Sequence, residues 1–277
     1  MSRRDRRGTL AGGGRGGRRG RRGYAAHDGR PLTGPTPAGP ARRGPRRLAL
    51  LPRLGLAPST AEILNGFLDT ALPASRGDVL DAGCGRVSAL VAFRPRIARL
   101  VGVDIHAPHP PLPWLDAFQV ADLCSDGDAF PATGFDLVLS SFTFEHLADA
   151  PAAMVNVRRW LRPGGTVVIT TVNRDHPLVG AYLSLPARLR DPLQRFVKAS
   201  AADAHPLVGT CNTPRLVRKA LVDAGFGAIE VRTTGHLARA WQRRLPSYAL
   251  GLLGDLAARP FPARRSTIVA RASVIDC

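Results

Sequence analysis

Apolar residues in this chain fall in short blocks separated by glycine or polar steps. Between Ala57 and Leu72 they recur at helical spacing. Ile63, Leu64, Phe67 and Leu68 share a face, Pro58 opens the segment and Ser59 or Thr60 can cap it, which predicts a helix. From Asp78 to Ala82 and from Arg99 to Val103 the apolar runs are short, continuous and β-branched, which predicts two buried strands. Gly83-Cys84-Gly85 follows the first, Arg86 to Phe93 can form a helix whose free N–H groups face that turn, and Asp104 ends the second. Ala117 to Val120 predicts a third strand running out at Asp122-Leu123, and Gly134 to Ser140 a fourth, apolar enough to be buried on both faces. A helix over Ala150 to Leu161 is closed by Pro163-Gly164-Gly165, and Thr166 to Val172 predicts a fifth strand. Prolines then interrupt the rhythm from Arg174 to Thr210. It resumes with a helix over Thr213 to Ala224, a strand over Ile229 to Thr233, a helical stretch from His236 to Ala258 broken at Pro246, and a last strand over Thr267 to Ala272. Strands alternating with helices predict an α/β fold with a doubly wound sheet.

Strand, glycine turn, helix, strand and terminal acid form the first half of a nucleotide-binding βαβ unit. Asp104 follows Gly83 by 21 residues, close to the roughly 20 expected of a ribose-binding carboxylate. Two nucleotide classes fit poorly. Ser88 stands where a dinucleotide fingerprint needs glycine or alanine, and no G-x-x-x-x-G-K-[ST] loop occurs. Asp81, just before the turn, is an odd neighbour for a pyrophosphate and a good one for a cation.

Val79-Leu80-Asp81-Ala82-Gly83-Cys84-Gly85 resembles the first motif of the class I S-adenosylmethionine-dependent methyltransferases, hydrophobic-hydrophobic-acid-x-G-x-G. Many members carry a third glycine where this chain has Val87, which implies a tighter turn or an earlier helix start. Leu161-Arg162-Pro163-Gly164-Gly165 before an apolar strand is similar to the family's approach to its fifth strand. Phe135-Asp136-Leu137-Val138 followed by Glu145-His146-Leu147 resembles the small-molecule branch with a type 11-like methyltransferase domain. The resemblance runs from about Val79 to Val172. It implies a Rossmann-like sheet of seven strands with an antiparallel last one, one domain over residues 48–277, and S-adenosyl-L-methionine as cofactor.

The resemblance also implies roles for particular residues. Asp104, beside Ile105, takes both ribose hydroxyls; Asp122 accepts from the adenine amino group while Leu123 covers the ring. Asp81 orients the turn and the methionine amino group, Gly83, Cys84 and Gly85 bring the backbone to the ligand, and Ser140 is counted among the cofactor-binding residues. Cys84 reads as a small packed residue rather than a nucleophile, since no cationic partner is evident. His146 is placed to act as general base, with a helix-capping or packing histidine as the other reading. Glu145, His176, Tyr182 and His205 are assigned to the acceptor side, and no metal-ligand cluster is visible. Residues 174–210 sit where relatives carry a substrate-covering lid. Tyr182, Leu183, Leu185, Leu189, Phe196 and Val197 either line an apolar pocket or form amphipathic helices on the sheet edge, with Gly180 and Gly209 as hinges.

Composition adds one feature. The chain of 277 residues carries a formal charge of +18, with Lys198 and Lys219 the only lysines among 39 basic residues. Met1 to Arg47 holds 14 arginines against Asp5 and Asp28 in an Arg/Gly- then Pro-rich run, which predicts a disordered arm. Such an arm either binds nucleic acid through charge and stacking or is a non-essential extension or a wrongly chosen start. Tyr24 alone provides for stacking. A nucleic-acid or protein methyltransferase is therefore an alternative. Against it, Ser140-Ser141-Phe142-Thr143 replaces the D/N-P-P-Y/F of amino-methylating relatives. A cofactor-binding protein without catalysis is a third reading, and a small-molecule acceptor is the favoured one. Four scattered cysteines without a C-x-x-C pair suit a reducing cytoplasm. No apolar run approaches the roughly 18 residues of a membrane span, and no export signal is expected.

Overall fold

The computed structural model describes residues 50–186, 188–190, 192–193, 210–242 and 244–275. The 1–47 arm, His205, and Phe196, Val197 and Gly209 of the lid lie outside them. Seven strands form one sheet: β1 (Gly77–Ala82), β2 (Ile97–Asp104), β3 (Ala117–Val120), β4 (Phe135–Ser141), β5 (Leu161–Val172), β6 (Phe226–Thr234) and β7 (Thr267–Val274). Their order is β3-β2-β1-β4-β5-β7-β6. β1 to β5 pair in parallel, and β7 runs antiparallel to both of its neighbours. The order reverses between β1 and β4, and the crevice at the carboxyl ends of strands flanking such a switch point is where open α/β sheets bind ligands.

Alternation along the central strands splits the core into two layers. Leu80, Val101, Val103 and Val138 face one side, where Met154, Val157 and Trp160 of α2 (Ala150–Trp160) and Val217 and Leu221 of α4 (Pro214–Asp223) cover them. Val79, Leu100, Leu137 and Leu139 face the other, under Ile63, Leu64, Phe67 and Leu68 of α1 (Thr60–Ala71). Each such side chain taken fully out of water contributes about 1.5–3 kcal/mol. Ser59 rather than Thr60 caps α1. Its hydroxyl accepts from the Glu62 N–H, and its own N–H donates to Glu62 Oε2 at 2.7 Å, a capping box.

Three expectations are corrected. The segment after the glycine turn is a 3₁₀ helix over Ala89–Arg96 instead of an α-helix from Arg86, and it starts later, not earlier. Ser88 caps it through the Leu90 N–H, and Pro95, which has no N–H to donate, lies inside it. Next, β5 starts at Leu161, directly after α2. The Pro-Gly-Gly step is absorbed in a bulge opposite Asp136, where Gly164 takes φ +72°. Arg162 thereby reaches across the ends of the central strands, donating to Asp136 Oδ2 at 2.6 Å and Asp78 Oδ2 at 2.8 Å, and so ties β5, β4 and β1. Finally, Gly180 is no hinge. It lies within α3 (Pro177–Ser184), with its N–H on the His176 carbonyl.

The chain closes with α5 (Leu237–Ala240) and α6 (Leu245–Ala258), which are separated as Pro246 anticipates and joined to the start of the described chain by Leu51, Leu56, Ala238 and Tyr248. Among the described residues no helix is long and apolar enough to cross a membrane.

Candidate active site

A cavity of about 790 Å³ opens at the carboxyl ends of β1, β2 and β4, within the range of small-ligand and cofactor sites. Its floor is the turn after β1. The N–H groups of Gly83 and Cys84 both donate to the Val103 carbonyl, at 2.8 and 3.2 Å, which locks the turn to β2. Gly83 and Gly85 sit at φ +74° and +49°, backbone that other residues rarely adopt. The two glycines serve different ends. A Cβ at Gly83 would collide with the Thr143 side chain, whereas a Cβ at Gly85 would meet nothing within 4 Å.

Asp104 lines the cavity opposite. Its Oδ2 accepts from the Gly85 N–H at 3.2 Å and its Oδ1 from the His106 N–H at 3.3 Å. Both oxygens keep lone pairs for further donors. Asp81 lies below, buried at the end of β1, and its Oδ2 has no hydrogen-bond partner among the described residues. Burial pushes its carboxyl up to about 7; a hydrogen bond from Ser88 opposes the shift and the charge of Asp104 adds to it. Burial, followed by the two carboxylates, raises the Cys84 thiol to about 12, so its sulfur is no nucleophile at neutral pH.

Of the other residues singled out from sequence, Ile105, Leu123 and His146 line the cavity. Asp122 does not: it is exposed between the lining residues Ala121 and Leu123, and its carboxylate accepts from the Cys124 N–H at 2.8 Å. Ser140 is buried, its hydroxyl donating to the Ala82 carbonyl at 2.9 Å, and the lining residue is its neighbour Ser141. A one-residue step along a strand changes face, which is why the sequence assignment missed by one. Glu145 is buried outside the lining and accepts from Thr171 Oγ1 at 2.8 Å. His176 also stands outside it, as the buried N-cap of α3, its Nδ1 accepting from the Leu178 N–H at 3.2 Å; burial lowers its pKa. Tyr182, half-buried on α3, is not in the lining either.

The structure adds residues that the sequence reading did not assign to the site. Val87, His106, Ala107, Pro108, Phe142 and Thr143 complete the wall. Val87 is 87% exposed at the rim, in the place of a third glycine. Phe142 leaves β4 at φ +55°, its N–H held by the Thr170 carbonyl at 2.8 Å, with its ring 5.6 Å from that of His236. A non-glycine residue in that conformation costs on the order of 1–3 kcal/mol and is met most often at functional sites. No group of three His, Cys, Asp or Glu side chains able to hold a metal occurs among the described residues.

Comparisons with known proteins place the chain in a family. Nocamycin O-methyltransferase of Saccharothrix syringae is 30% identical over 182 residues, which cover 60% of this chain and 64% of that protein. A ubiquinone biosynthesis O-methyltransferase of Cereibacter sphaeroides is 32% identical over 115 residues, covering 39% of this chain and 46% of the relative. The chain thus spans about half to two thirds of the length of these relatives. Among solved structures, a chain of the complex between the Haloferax volcanii Trm112 methyltransferase activator and a methyltransferase superposes over 83% of this chain and 94% of its own length. It is 20% identical, with a TM-score of 0.53, and shares the fold. Haemonchus contortus phosphoethanolamine N-methyltransferase 2, solved with phosphomonomethylethanolamine and S-adenosylhomocysteine, superposes over 78% of this chain and 53% of its own, with 16% identity and a TM-score of 0.50. Residues 57–230, more than half of the chain, match the profile of a methyltransferase domain, and the protein belongs to that methyltransferase domain family.

Proposed function

We propose that this chain transfers the methyl group of S-adenosylmethionine to a small-molecule acceptor. The observation that carries the proposal is the convergence of the Gly83–Gly85 turn, Asp104 and His146 on one cavity at the switch point of the sheet. The residues present suit the cofactor. An unpartnered buried carboxylate oxygen on Asp81 favours a cationic group nearby, and the space left open beside Gly85 admits a ligand against the backbone. Asp104 would accept from the two ribose hydroxyls, Ile105 and Leu123 would hold the adenine between apolar surfaces, and the turn would face the methionine end. The cofactor supplies a methyl group on a sulfonium, already activated for displacement.

The chain's own part is then positioning and proton removal. Holding a nucleophile in line with the methyl group is worth up to roughly 7–11 kcal/mol in favourable cases. Ser141, Phe142 and Thr143 form the wall after β4 against which an acceptor would be held. His146 would take the proton of a hydroxyl acceptor, worth about 10²–10⁴-fold. The named activities of the Saccharothrix and Cereibacter relatives, both O-methyltransferases, support an oxygen acceptor. The test is incubation with methyl-labelled S-adenosylmethionine and fractionated extract of the source cell. A labelled small molecule is expected; label in protein or nucleic acid alone would overturn the acceptor class.

A further inference from the structure

The outer face of α6 is the surface the fold leaves unexplained. From Leu245 to Ala258 the helix carries a single charged residue, Asp255, and that one is buried; its carboxylate accepts from the Ala238 N–H at 2.9 Å and the Ser266 hydroxyl at 3.0 Å. Ser247, Tyr248, Gly251, Asp255 and Ala258 form the buried side. At 100° per residue, Leu245, Pro246, Ala249, Leu250, Leu253 and Ala257 fall together on the opposite side, and all six are exposed. Leu245, Leu250 and Leu253 are exposed by 68%, 48% and 65%, and Phe261, just past the helix, by 56%. A continuous uncovered strip this apolar exceeds the scattered exposure ordinary on a protein surface.

Charge indicates what covers it. Between His236 and Ile275 the sequence holds seven arginines, one of which, Arg271 on β7, is ion-paired with Glu230, and no acid except the buried Asp255. Arg244 and Arg259 cap the two ends of α6, and Arg264 lies with its guanidinium 5.8 Å from the ring centre of Phe261. An apolar strip with arginines at its ends and no exposed acid matches an anionic lipid surface: the strip enters the acyl boundary and the guanidinium groups stay at headgroup level. At 14 residues α6 is too short to span a bilayer, which needs about 20, so the contact it would make lies on the surface. The helix also touches α3, whose Leu178 lies beside Gly254.

We infer that α6 docks this protein on an anionic membrane surface through Leu245, Leu250, Leu253 and Phe261. The test is sedimentation of the full chain with vesicles of phosphatidylcholine alone and of phosphatidylcholine with phosphatidylglycerol in equal parts. Binding is expected to the mixed vesicles, and Leu250→Gln with Leu253→Gln should weaken it by about tenfold or more. Both positions are exposed, so the melting temperature should stay unchanged; Leu253→Gln alone provides a milder variant with a smaller loss. Absence of vesicle binding by the wild type would overturn the inference. So would equal binding by the double variant, which would assign the interaction to the arginine-rich first 47 residues. A wild-type dimer that the double variant converts to monomer, without vesicle binding, would overturn it in favour of a second copy of this chain.

Discussion

The N–H of Gly85 donates to Asp104 Oδ2 across 3.2 Å, so the glycine turn after β1 and the acid at the end of β2 are joined across the mouth of the cavity. The bond is long, and a second long one from the His106 N–H leaves the carboxylate open to better donors. Asp104→Ala should therefore cost little stability and much cofactor affinity. Charge-assisted bonds to two ribose hydroxyls are worth on the order of 1.5–3 kcal/mol each. Calorimetry with S-adenosylmethionine and S-adenosylhomocysteine measures this, and an unchanged affinity in the variant would remove Asp104 from the site.

Asp81 gives a pH-dependent prediction. Its carboxyl is raised from 3.8 to about 7 in the folded chain, chiefly by burial. An acid whose folded pKa lies above its unfolded one binds more protons when folded. Stability is therefore greatest at acid pH and falls as pH rises through the window between the two values, by about 4 kcal/mol in all. Asp81→Asn should flatten that fall and raise the melting temperature most above pH 7. Because the ionised form attracts a cation, cofactor affinity in the wild type should rise with pH through about 7. An identical pH slope of melting temperature in the Asn variant would show that Asp81 is not the group responsible.

The central strands were legible in the sequence because they are buried on both faces, so their apolar runs are nearly continuous: β1 and β4 lie within one residue of their expected bounds. The glycine turn and Asp104 were legible because backbone conformation and a strand-end acid are tied to residue type. The helix after the turn was not, since Ser88 and Pro95 act against the apolar pattern of Ala89 to Phe93. Arg162 illustrates a different limit. The Leu-Arg-Pro-Gly-Gly step pointed to a helix end, while its arginine bridges Asp78 and Asp136, two residues far away in sequence. The acceptor side was least legible. Glu145 and His176 are polar residues near the expected place, yet one is bonded to Thr171 and the other caps α3. Phe142 belongs to the wall through a left-handed backbone that nothing in its side chain announces.

His176 should behave as a structural residue. Its Nδ1 accepts from the Leu178 N–H, so it serves the folded chain in the neutral form, and burial lowers its pKa from 6.5. A base with a depressed folded pKa leaves stability intact above its unfolded value and loses it as pH falls from that value through the lower folded one. His176→Asn retains a capping acceptor and should abolish this acid-side loss. His176→Ala removes the cap as well, at about 1 kcal/mol plus the cost of the cavity. Thermal melts from about pH 5 to about pH 8 separate the two contributions. If both variants bind acceptor normally, His176 has no part in recognition; a rise in the acceptor KM of His176→Asn with unchanged stability would return it to the acceptor side.

His146 carries the sharpest prediction. It lines the cavity on the short 3₁₀ turn Phe144–His146 after β4, its backbone N–H held by the Thr143 carbonyl at 2.9 Å, so its place is fixed by the same wall that would hold an acceptor. The neighbouring Phe144 and Glu145 are buried, which anchors the turn and leaves His146 as its cavity-facing member. If it removes the proton of a hydroxyl acceptor, His146→Ala should lower the single-turnover rate by about 10²-fold or more. Cofactor affinity should stay the same, because Asp104 and the glycine turn are untouched. His146→Gln keeps the bulk and a hydrogen-bonding end without a basic nitrogen, and should be as slow as the alanine variant. A glutamine variant that restores the wild-type rate would assign His146 to positioning the acceptor. A wild-type rate in the alanine variant would leave alignment against Ser141, Phe142 and Thr143 as the source of the acceleration.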